Sequence, residues 1–475
     1  MNPARLLPAV LMLWSCASST PAPRAAPDLV PESWTTKRDT TPVLDRWWTS
    51  FEDTLAVHLV REALTNNHSV QIAAANVAAS QAQARIAGAA RLPQASAAGS
   101  GSRNKRSFIG FPIPGAAGQT QSTTSTSFSA DVAVSWELDL WGRLRAGHAA
   151  TIADLQAVEA DWRAARLSLV AQTLRAYFGV VEAQRQVNLA EATVQSYDLS
   201  NRQVQSRYER GLRPTLDLLL SRASLSSAES VMHQRRLQLD VAVRQLEVLV
   251  GRYPAGRLRT STRLPGVPSP IPAGLPAELI GRRPDLAAAQ RRLAASDARV
   301  AEARRNLYPR IGLTASGGRS SEGLGDLLDG DFGVWNLVGN LTQPLFQGGR
   351  LRAGIDLAEA HAERAVVGYA QAALRAFAEV ESGLAAEGLL ANQESALTAA
   401  SRESTDARIL AEQRYAKGLT DLLTLLTSQR ASFDAESRLL AVQRQRLETR
   451  IDLHLALGGG FTLDAGTISA TEETQ

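Results

Sequence analysis

The sequence predicts a mixed α and β membrane protein in which one unit, a pair of β-strands followed by a pair of long helices, occurs twice. Three observations support this fold class: an internal repeat, two long stretches without proline, and two segments in which apolar and polar residues alternate. Because proline interrupts helices and alternation is typical of strands with two unlike faces, the two patterns separate the helical parts from the strand parts.

The repeat consists of short motifs that recur at one separation. The sequence Gly-Arg-Leu-Arg-Ala-Gly at 142–147 recurs unchanged at 349–354, which is 207 residues later. The motif Arg-Tyr-x-x-Gly-Leu at 207–212 recurs at 414–419, at the same separation. A period of this length is too long for a solenoid repeat, so it indicates duplication of a whole subdomain.

The first residues are typical of a bacterial lipoprotein signal. An apolar run over 6–14 is too short to span a bilayer and predicts a signal peptide at 1–15. Cys16 is the one cysteine of the chain and has Leu13 three positions before it, so we expect a covalent lipid on Cys16 and no other cofactor. An ordinary secreted protein with one free thiol is the alternative. Residues 16–45, rich in Pro, Ser, Thr and Ala, predict a lipidated tether.

Charge and motif content exclude several functional classes. The chain has 51 basic and 47 acidic residues, and the basic ones are interspersed with acids, which argues against nucleic-acid binding. The six histidines lack the spacing of metal ligands, and the sequence has no phosphate-loop or nucleophile-elbow motif. We therefore expect no metal site and no enzymatic activity.

Upstream of each long helix, the residues alternate with the period of a β-strand. Over 128–140 every even position is apolar and most odd positions are polar, and over 311–315 Ile, Leu and Ala alternate with Gly and Thr. About 9 to 11 tilted residues cross a bilayer as a strand, so we predict membrane hairpins at about 94–141 and 310–346. The edge of a soluble sheet would give the same alternation and is the alternative.

Four strands cannot close a barrel, and an open sheet edge is not tolerated in lipid. The edges must therefore be completed by other copies of the chain. The sequence predicts an obligate homo-oligomer with a shared barrel.

The stretches without proline predict two long helical hairpins. Residues 144–213 are mostly Ala, Leu, Arg, Gln and Glu, and a continuous helix of that length would reach about 105 Å. Leucine and valine recur every seven residues over 167–181, which is coiled-coil patterning. Each long helix is expected to end at its Arg-Tyr-x-x-Gly turn and to be followed by a returning helix, giving hairpins at about 143–250 and 351–457.

These elements divide the chain into two repeats and a tail. The first repeat is predicted at 46–260, where short helices precede the first strand pair, and the second at 261–460. Residues 461–475 are a C-terminal tail.

In combination, the motifs resemble those of the TolC/OprM/NodT-like outer membrane factors of tripartite efflux systems. The resemblance covers nearly the whole mature chain and rests on Trp47-Trp48 with Phe51, the run 136–142, the run 282–286 and both Arg-Tyr-x-x-Gly turns. It implies a homotrimer in the outer membrane, anchored by lipid and extending into the periplasm. The 4 strands of each chain would contribute to a 12-stranded β-barrel that is continuous with a periplasmic α-helical coiled-coil barrel.

The function implied by this resemblance is transport. The chain would be the outer membrane exit duct of a tripartite efflux pump, passively conducting small toxic compounds received from an inner-membrane RND-type pump and a periplasmic adaptor protein. The exit channel of a type I protein secretion system is an alternative with the same architecture. A structural periplasmic coiled-coil protein without a pore is an alternative from another class.

The resemblance also implies a gate at the periplasmic tip, where helix pairs coil inward near the turns. Gln429 and Arg430 match the polar pair that the family carries beyond the turn. The gate candidates are Arg207, Tyr208, Asp217, Arg414, Tyr415, Asp421, Thr424, Thr427, Gln429 and Arg430.

The charge of the predicted gate differs between the two copies. Asp217 matches an aspartate of the family, whereas Thr424 and Thr427 stand where relatives carry aspartate in the second copy. Asp421 could supply part of the missing charge. We expect Asp217 to pair with arginines of a neighbouring helix, and a solvent-facing carboxylate after a turn is the alternative.

Overall fold

The structure is a computed structural model, and it describes residues 31, 34–35, 46–108, 121–268 and 276–459. The predicted signal peptide, Cys16 and the predicted C-terminal tail lie outside the described residues, as does the loop between the first two strands.

The order of the elements shows the duplication. A short 3-10 helix at Trp47–Phe51 precedes the first series, and the second series repeats the order helix, helix, strand, strand, helix, helix. The first series is α1 (Thr54–Asn66), α2 (His68–Ala89), β1 (Gln94–Phe108), β2 (Gln121–Leu138), α3 (Arg143–Glu209) and α4 (Thr215–Leu249). The second series is α5 (Pro276–Arg282), α6 (Pro284–Arg305), β3 (Arg310–Ser321), β4 (Gly333–Thr342), α7 (Arg350–Ala416) and α8 (Leu422–Ala456).

The four strands form one antiparallel sheet in the order β1-β2-β3-β4, so β2 and β3 join the two copies. Val134 of β2 lies opposite both Ala95 of β1 and Ala315 of β3, and Ala315 lies opposite Leu337 of β4. Within the described part of the chain, β1 and β4 each pair on one side only. These are the two edges for which the sequence predicts pairing with other copies.

The register places the alternating residues of all four strands on two unlike faces. We call the first the apolar face and the second the polar face. The apolar face contains Ala95, Ala97, Val132, Val134, Trp136, Ile311, Leu313, Leu337 and Leu341. The polar face contains Ser96, Ser100, Asp131, Ser135, Thr314, Asn336 and Asn340.

The junction from β2 to α3 is held by two carboxylates. The Arg143 guanidinium donates to both Glu137 oxygens, at 2.8 and 2.9 Å. The Asp139 carboxylate accepts from the amides of Leu144 and Arg145, at 3.0 and 2.8 Å, and so satisfies two donors that the first turn of a helix leaves free. The acidic residues of the run 136–142 therefore start the long helix.

Glycines with positive φ end the long helices at their turns. Gly211 has φ +74° and Gly418 has φ +75°. In each copy the amide of the following leucine donates to the carbonyl of the motif arginine, at 2.9 Å in the first and 2.8 Å in the second. This is the Schellman motif, in which a left-handed residue satisfies the last carbonyls of a helix. The repeated Arg-Tyr-x-x-Gly-Leu motif is thus a helix cap.

The two returning helices end with the same kind of cap. Gly251 and Gly458, also 207 residues apart, have φ +81° and +71°. Their neighbours differ from those of the turn glycines. A Cβ atom on Gly251 would lie 2.8 Å from the Asn66 carbonyl oxygen, and one on Gly458 would lie 2.6 Å from the Arg282 carbonyl oxygen.

The predicted coiled-coil seam of α3 is confirmed. Leu167, Leu174 and Val181 are buried in one hydrophobic cluster that also contains Trp47. Tyr177 is buried in the same cluster, and burial raises the pKa of its phenol. These heptad residues pack the long helix against the N-terminal elements and the returning helices.

One residue of the predicted tether, Trp34, packs against the long helix α7. Trp34 is buried, and its ring meets that of Phe377 edge to face with centroids 6.1 Å apart. The amide of Thr35 donates to the Glu381 carboxylate at 2.8 Å. Composition alone missed this anchor because a single tryptophan within a Pro/Ser/Thr-rich segment carries no periodic signal.

The compact units of the structure do not coincide with the sequence repeats. One unit contains Ala78–Ala157 and Gln290–Gly368, which include all four strands. Of the described residues, the other contains those within Pro27–Val77, those within Val158–Ala289 and those from Tyr369 onward. Each unit therefore combines segments from both copies.

None of the helices in the described residues is long and apolar enough to cross a membrane.

We predict that alanine substitutions will rank the four helix-ending glycines in two pairs. At Gly211 and Gly418 no atom lies within 4 Å of an added Cβ, so alanine should cost only the left-handed strain, about 1 to 2 kcal/mol. At Gly251 and Gly458 a backbone clash is added, and overpacking costs about 1 to 3 kcal/mol more. Thermal unfolding of the purified protein, followed by helical circular dichroism, measures the difference. Equal losses in both pairs would contradict this ranking.

Candidate functional site at the helix turns

The two turns have the same backbone but different side-chain environments. Tyr415 of the second turn is fully buried, whereas its equivalent Tyr208 is 37% exposed. Tyr415 belongs to a small hydrophobic cluster that combines residues of both hairpins, namely Val204, Leu218, Ala411, Tyr415, Leu422 and Leu425. The tyrosine of the second turn is therefore packed between the two hairpins, whereas the tyrosine of the first turn is not.

Two arginines of the first turn face the Tyr415 ring. The guanidinium carbon of Arg207 lies 4.9 Å from the ring centroid and that of Arg213 lies 5.5 Å from it. Arg207 also donates to the carbonyl oxygen of Ala416 at 2.8 Å. A cation near an aromatic face contributes about 0.5 to 2 kcal/mol, depending on its exposure to water. Both arginines thus stabilise the contact between the hairpins.

Asp217 pairs within its own turn. Its carboxylate lies 3.6 Å from the Arg213 guanidinium, and the two side chains are only 17% and 24% exposed. We expected a partner on a neighbouring helix, but within the described chain the partner is Arg213, which lies in the turn two residues before α4 begins at Thr215. Through Arg213, the carboxylate is linked to the Tyr415 ring. We call Arg207, Arg213, Asp217 and Tyr415 the tip contact.

Asp421 caps the returning helix of the second copy. Its carboxylate accepts from the Thr424 amide at 2.7 Å and from the Thr424 hydroxyl at 3.1 Å. These hydrogen bonds hold the pKa of Asp421 below its usual range. Thr427 donates to the carbonyl of Leu423 at 2.8 Å, within its own helix. Asp421 therefore serves the helix start and does not take part in the tip contact.

Gln429 lies in a buried polar cluster between α3, α7 and α8. Its amide donates to the hydroxyls of Ser196 and Ser200, at 2.8 and 3.0 Å, and Ser196 donates to Glu412 at 2.9 Å. The Glu412 carboxylate also pairs with Arg408 at 2.9 Å. The long-helix hairpins therefore contain a buried polar cluster in addition to the hydrophobic cluster around Tyr415.

The two remaining gate candidates, Arg414 and Arg430, are also exposed. Arg430 lies 4.0 Å from the Asp434 carboxylate, and Arg414 contributes its carbonyl to the Schellman cap. Sequence reasoning missed Arg213 and Glu412. The spacing of four residues between Arg213 and Asp217 could have indicated their pair, whereas no local pattern predicts that Glu412 meets Ser196.

A family model described as "Outer membrane efflux protein" matches residues 59–252 and 275–459. The chain belongs to this family. It is an outer membrane efflux channel, and the two matched ranges contain both helical hairpins.

Named relatives agree with this assignment. The channel is 34% identical to the outer membrane protein OprJ of Pseudomonas aeruginosa, over 90% of this chain and 92% of the relative. It is 32% identical to the toluene efflux pump outer membrane protein TtgI of Pseudomonas putida, over 87% of each chain. These relatives favour efflux over protein secretion.

Solved structures confirm the predicted fold class, a trimeric barrel of strands continuous with a helical barrel. The Campylobacter jejuni CmeC outer membrane channel has a TM-score of 0.84 at 26% identity, covering 90% of each chain. The open state of the Neisseria gonorrhoeae MtrE outer membrane channel has a TM-score of 0.80 at 28% identity, covering 94% of this chain and 98% of that one.

We predict that Tyr415→Ala destabilises the efflux channel far more than Tyr208→Ala. Truncating a buried aromatic ring costs about 3 to 5 kcal/mol, and the stacked arginines lose their partner as well. Tyr208 is the matched control, since it occupies the same cap position with an exposed ring. Tyr415→Phe keeps the ring and should remain close to the wild type. Limited proteolysis at the turns measures the loosening, and equal cleavage of both alanine variants would contradict the prediction.

Proposed function

We propose that three copies of this channel form a passive exit duct for small toxic compounds, which reach it from a periplasmic adaptor and an inner-membrane RND-type pump. The observation that carries the proposal is the match to outer membrane proteins of efflux pumps over most of their length, for example 87% of TtgI. Conduction through a duct requires no covalent chemistry on the cargo, so the chain would act without enzymatic activity.

The two faces of the sheet support a wall between lipid and water. In a membrane barrel, apolar residues face lipid and polar residues face the lumen. The apolar face carries Val132 and Trp335, which are 54% and 82% exposed within one chain. The polar face carries Asp131, Ser135 and Thr314, as an aqueous lumen requires.

We propose that the tip contact holds the duct closed. It connects the first hairpin to the second through Arg207 and Arg213, which both face Tyr415. Outward movement of one hairpin would separate the two arginines from the ring, whereas Arg213 and Asp217, which lie in the same turn, would move together. Because only the second-copy tyrosine is buried, opening would begin at this one contact in each chain.

We propose that the adaptor binds the turns. Leu212 and Leu216 of the first copy are 68% and 63% exposed, and their equivalents Leu419 and Leu423 are 64% and 66% exposed. Exposed apolar residues that recur in equivalent places mark an interaction surface more strongly than isolated ones do. Three chains would present six such leucine pairs to a partner with matching apolar groups.

We predict that Asp217→Ala raises the closed-state conductance of the channel in planar bilayers. Asp217 holds Arg213 at the Tyr415 ring, a contact that exists only while the hairpins are together, so losing this support should weaken the closed state by about 1 kcal/mol and shift the closed-to-open equilibrium about fivefold. Asp198→Ala is the matched control, since Asp198 also forms an i,i+4 pair with an arginine but on the surface of α3.

Two results would contradict parts of this proposal. Unchanged conductance of Asp217→Ala would place the carboxylate outside the gate and would limit its role to the turn in which it pairs with Arg213. Purified protein that forms no channels, even with Tyr415→Ala, would contradict the duct itself and would favour a structural coiled-coil role.

We predict that Cys16→Ser abolishes acylation. The mature wild-type protein should carry the added mass of its lipid, and the variant should lack that mass in intact-protein mass spectrometry. Ser18→Ala, two residues away, is the control and should be acylated normally. A mature mass without lipid in the wild type would show a secreted protein with a free thiol instead.

A further inference from the structure

The apolar face of the sheet ends in two cations on the edge strand β1. On this face, β1 presents Ala95, Ala97, Gly99 and Gly101, and the next residues of the same face are Arg103 and Lys105. On the neighbouring strand β2, the side chains of this face change from apolar to hydroxyl-bearing at the same level. Phe128 lies opposite Gly101, whereas Thr126 and Thr124 lie opposite the two cations. The apolar surface therefore gives way to cations and hydroxyls within one residue pair.

This end of the sheet is the one remote from the long helices. β2 ends at Leu138, only a few residues before α3 begins at Arg143, so its other end is the distal one. Residues 128–138 of β2, whose even positions are apolar, already supply the 9 to 11 residues that a membrane strand needs. Because the helices of an outer membrane efflux channel extend into the periplasm, Arg103 and Lys105 lie at the outer surface of the membrane.

The two cations have no acidic neighbour on their face. Both side chains are exposed, and no hydrogen bond or ion pair joins either one to another described residue. The apolar face carries no Asp or Glu on any of the four described strands. Arg319, the third cation of this face, donates to the Leu327 carbonyl at 3.0 Å and is held by its own loop.

We propose that Arg103 and Lys105 bind the phosphate groups of lipids in the outer leaflet, as a headgroup site on the outside of the barrel. Lipid phosphates lie directly beyond the hydrocarbon region, at the level that these residues occupy. Arginine and lysine both bind phosphate well, and the hydroxyls of Thr124 and Thr126 add donors beside them. The strand that ends each chain's own sheet thereby gains a lipid contact that fixes its depth in the membrane.

The strand contains its own control residue. Arg106 is adjacent in sequence and exposed, but it lies on the polar face with Ser100 and Asn104. If a lipid headgroup is the ligand, the face that an arginine occupies decides its effect. If general attraction to anions is responsible, all three cations contribute equally.

The experiment measures binding of lipid A, with and without its phosphates, to the purified full-length trimer in non-ionic detergent. Each cation near an anionic lipid surface contributes about a fivefold gain in affinity, so Arg103→Gln with Lys105→Gln should weaken binding roughly 30-fold. Arg106→Gln should bind like the wild type. Dephosphorylated lipid A should bind the wild type and the double variant equally weakly, and an equimolar concentration of inorganic phosphate should not displace lipid A.

Several outcomes would overturn the proposal. Equal weakening by Arg106→Gln would show that the face is irrelevant, and displacement by equimolar phosphate would show an anion site without lipid selectivity. Loss of trimer stability in the double variant without lipid would indicate that the cations instead pair with a neighbouring copy. The acidic loop between β3 and β4, with Glu322, Asp326, Asp329 and Asp331, is the partner that such a result would point to.

Discussion

The architecture depends on glycines that end its long helices in the left-handed conformation. A residue with a Cβ is strained at positive φ, so each of these positions stops a helix that its sequence would otherwise continue. The outgoing helices α3 and α7 both contain 67 residues, and the returning helices α4 and α8 both contain 35. Equal lengths bring the two turns to the same level, and both the tip contact and the exposed leucines require that coincidence.

The two copies have the same backbone conformation at their turns, but the side chains of the two turns have different surroundings. Tyr415 is buried under two arginines while Tyr208 remains exposed, although both occupy the same cap position. The aspartate that would repeat Asp217 is replaced by Thr424, which binds the helix cap Asp421. Within each chain, the hairpin interface therefore contains one buried tyrosine, and the equivalent tyrosine of the first copy does not take part in that cluster.

The sheet and the helical hairpins are suited to different surroundings. The sheet has one apolar and one polar face along all four strands, which suits a wall between lipid and water. The long helices carry ion pairs between neighbours, such as Arg175 with Asp452 and Arg446 with Glu394, and they bury apolar residues in separate clusters. Charged side chains on these helices are compatible with water on the outside of each pair and not with lipid.

The sequence alone was sufficient for the elements whose signal is local and repeated. Strict alternation predicted the strands, heptad spacing predicted the buried seam of α3, and the recurring glycines predicted where the long helices end. The resemblance supplied the family, and the comparisons confirmed it. The burial of Trp34 and the role of Asp421 could not be predicted, because the first depends on a distant contact with Phe377 and the second on whether a helix begins at that residue.

The sequence by itself determined the repeated unit, the periods of its helices and strands, and the amino acids available at each turn, since these are properties of neighbouring residues. Only the tertiary structure decided that Arg207 and Arg213 face Tyr415 and that Gln429 meets Ser196. These partners are more than 200 positions apart in the sequence. Local patterns within a single sequence carry no information about which distant residues meet. Their contact arises because two hairpins of equal length pack side by side, so that the turn of one copy contacts the turn of the other.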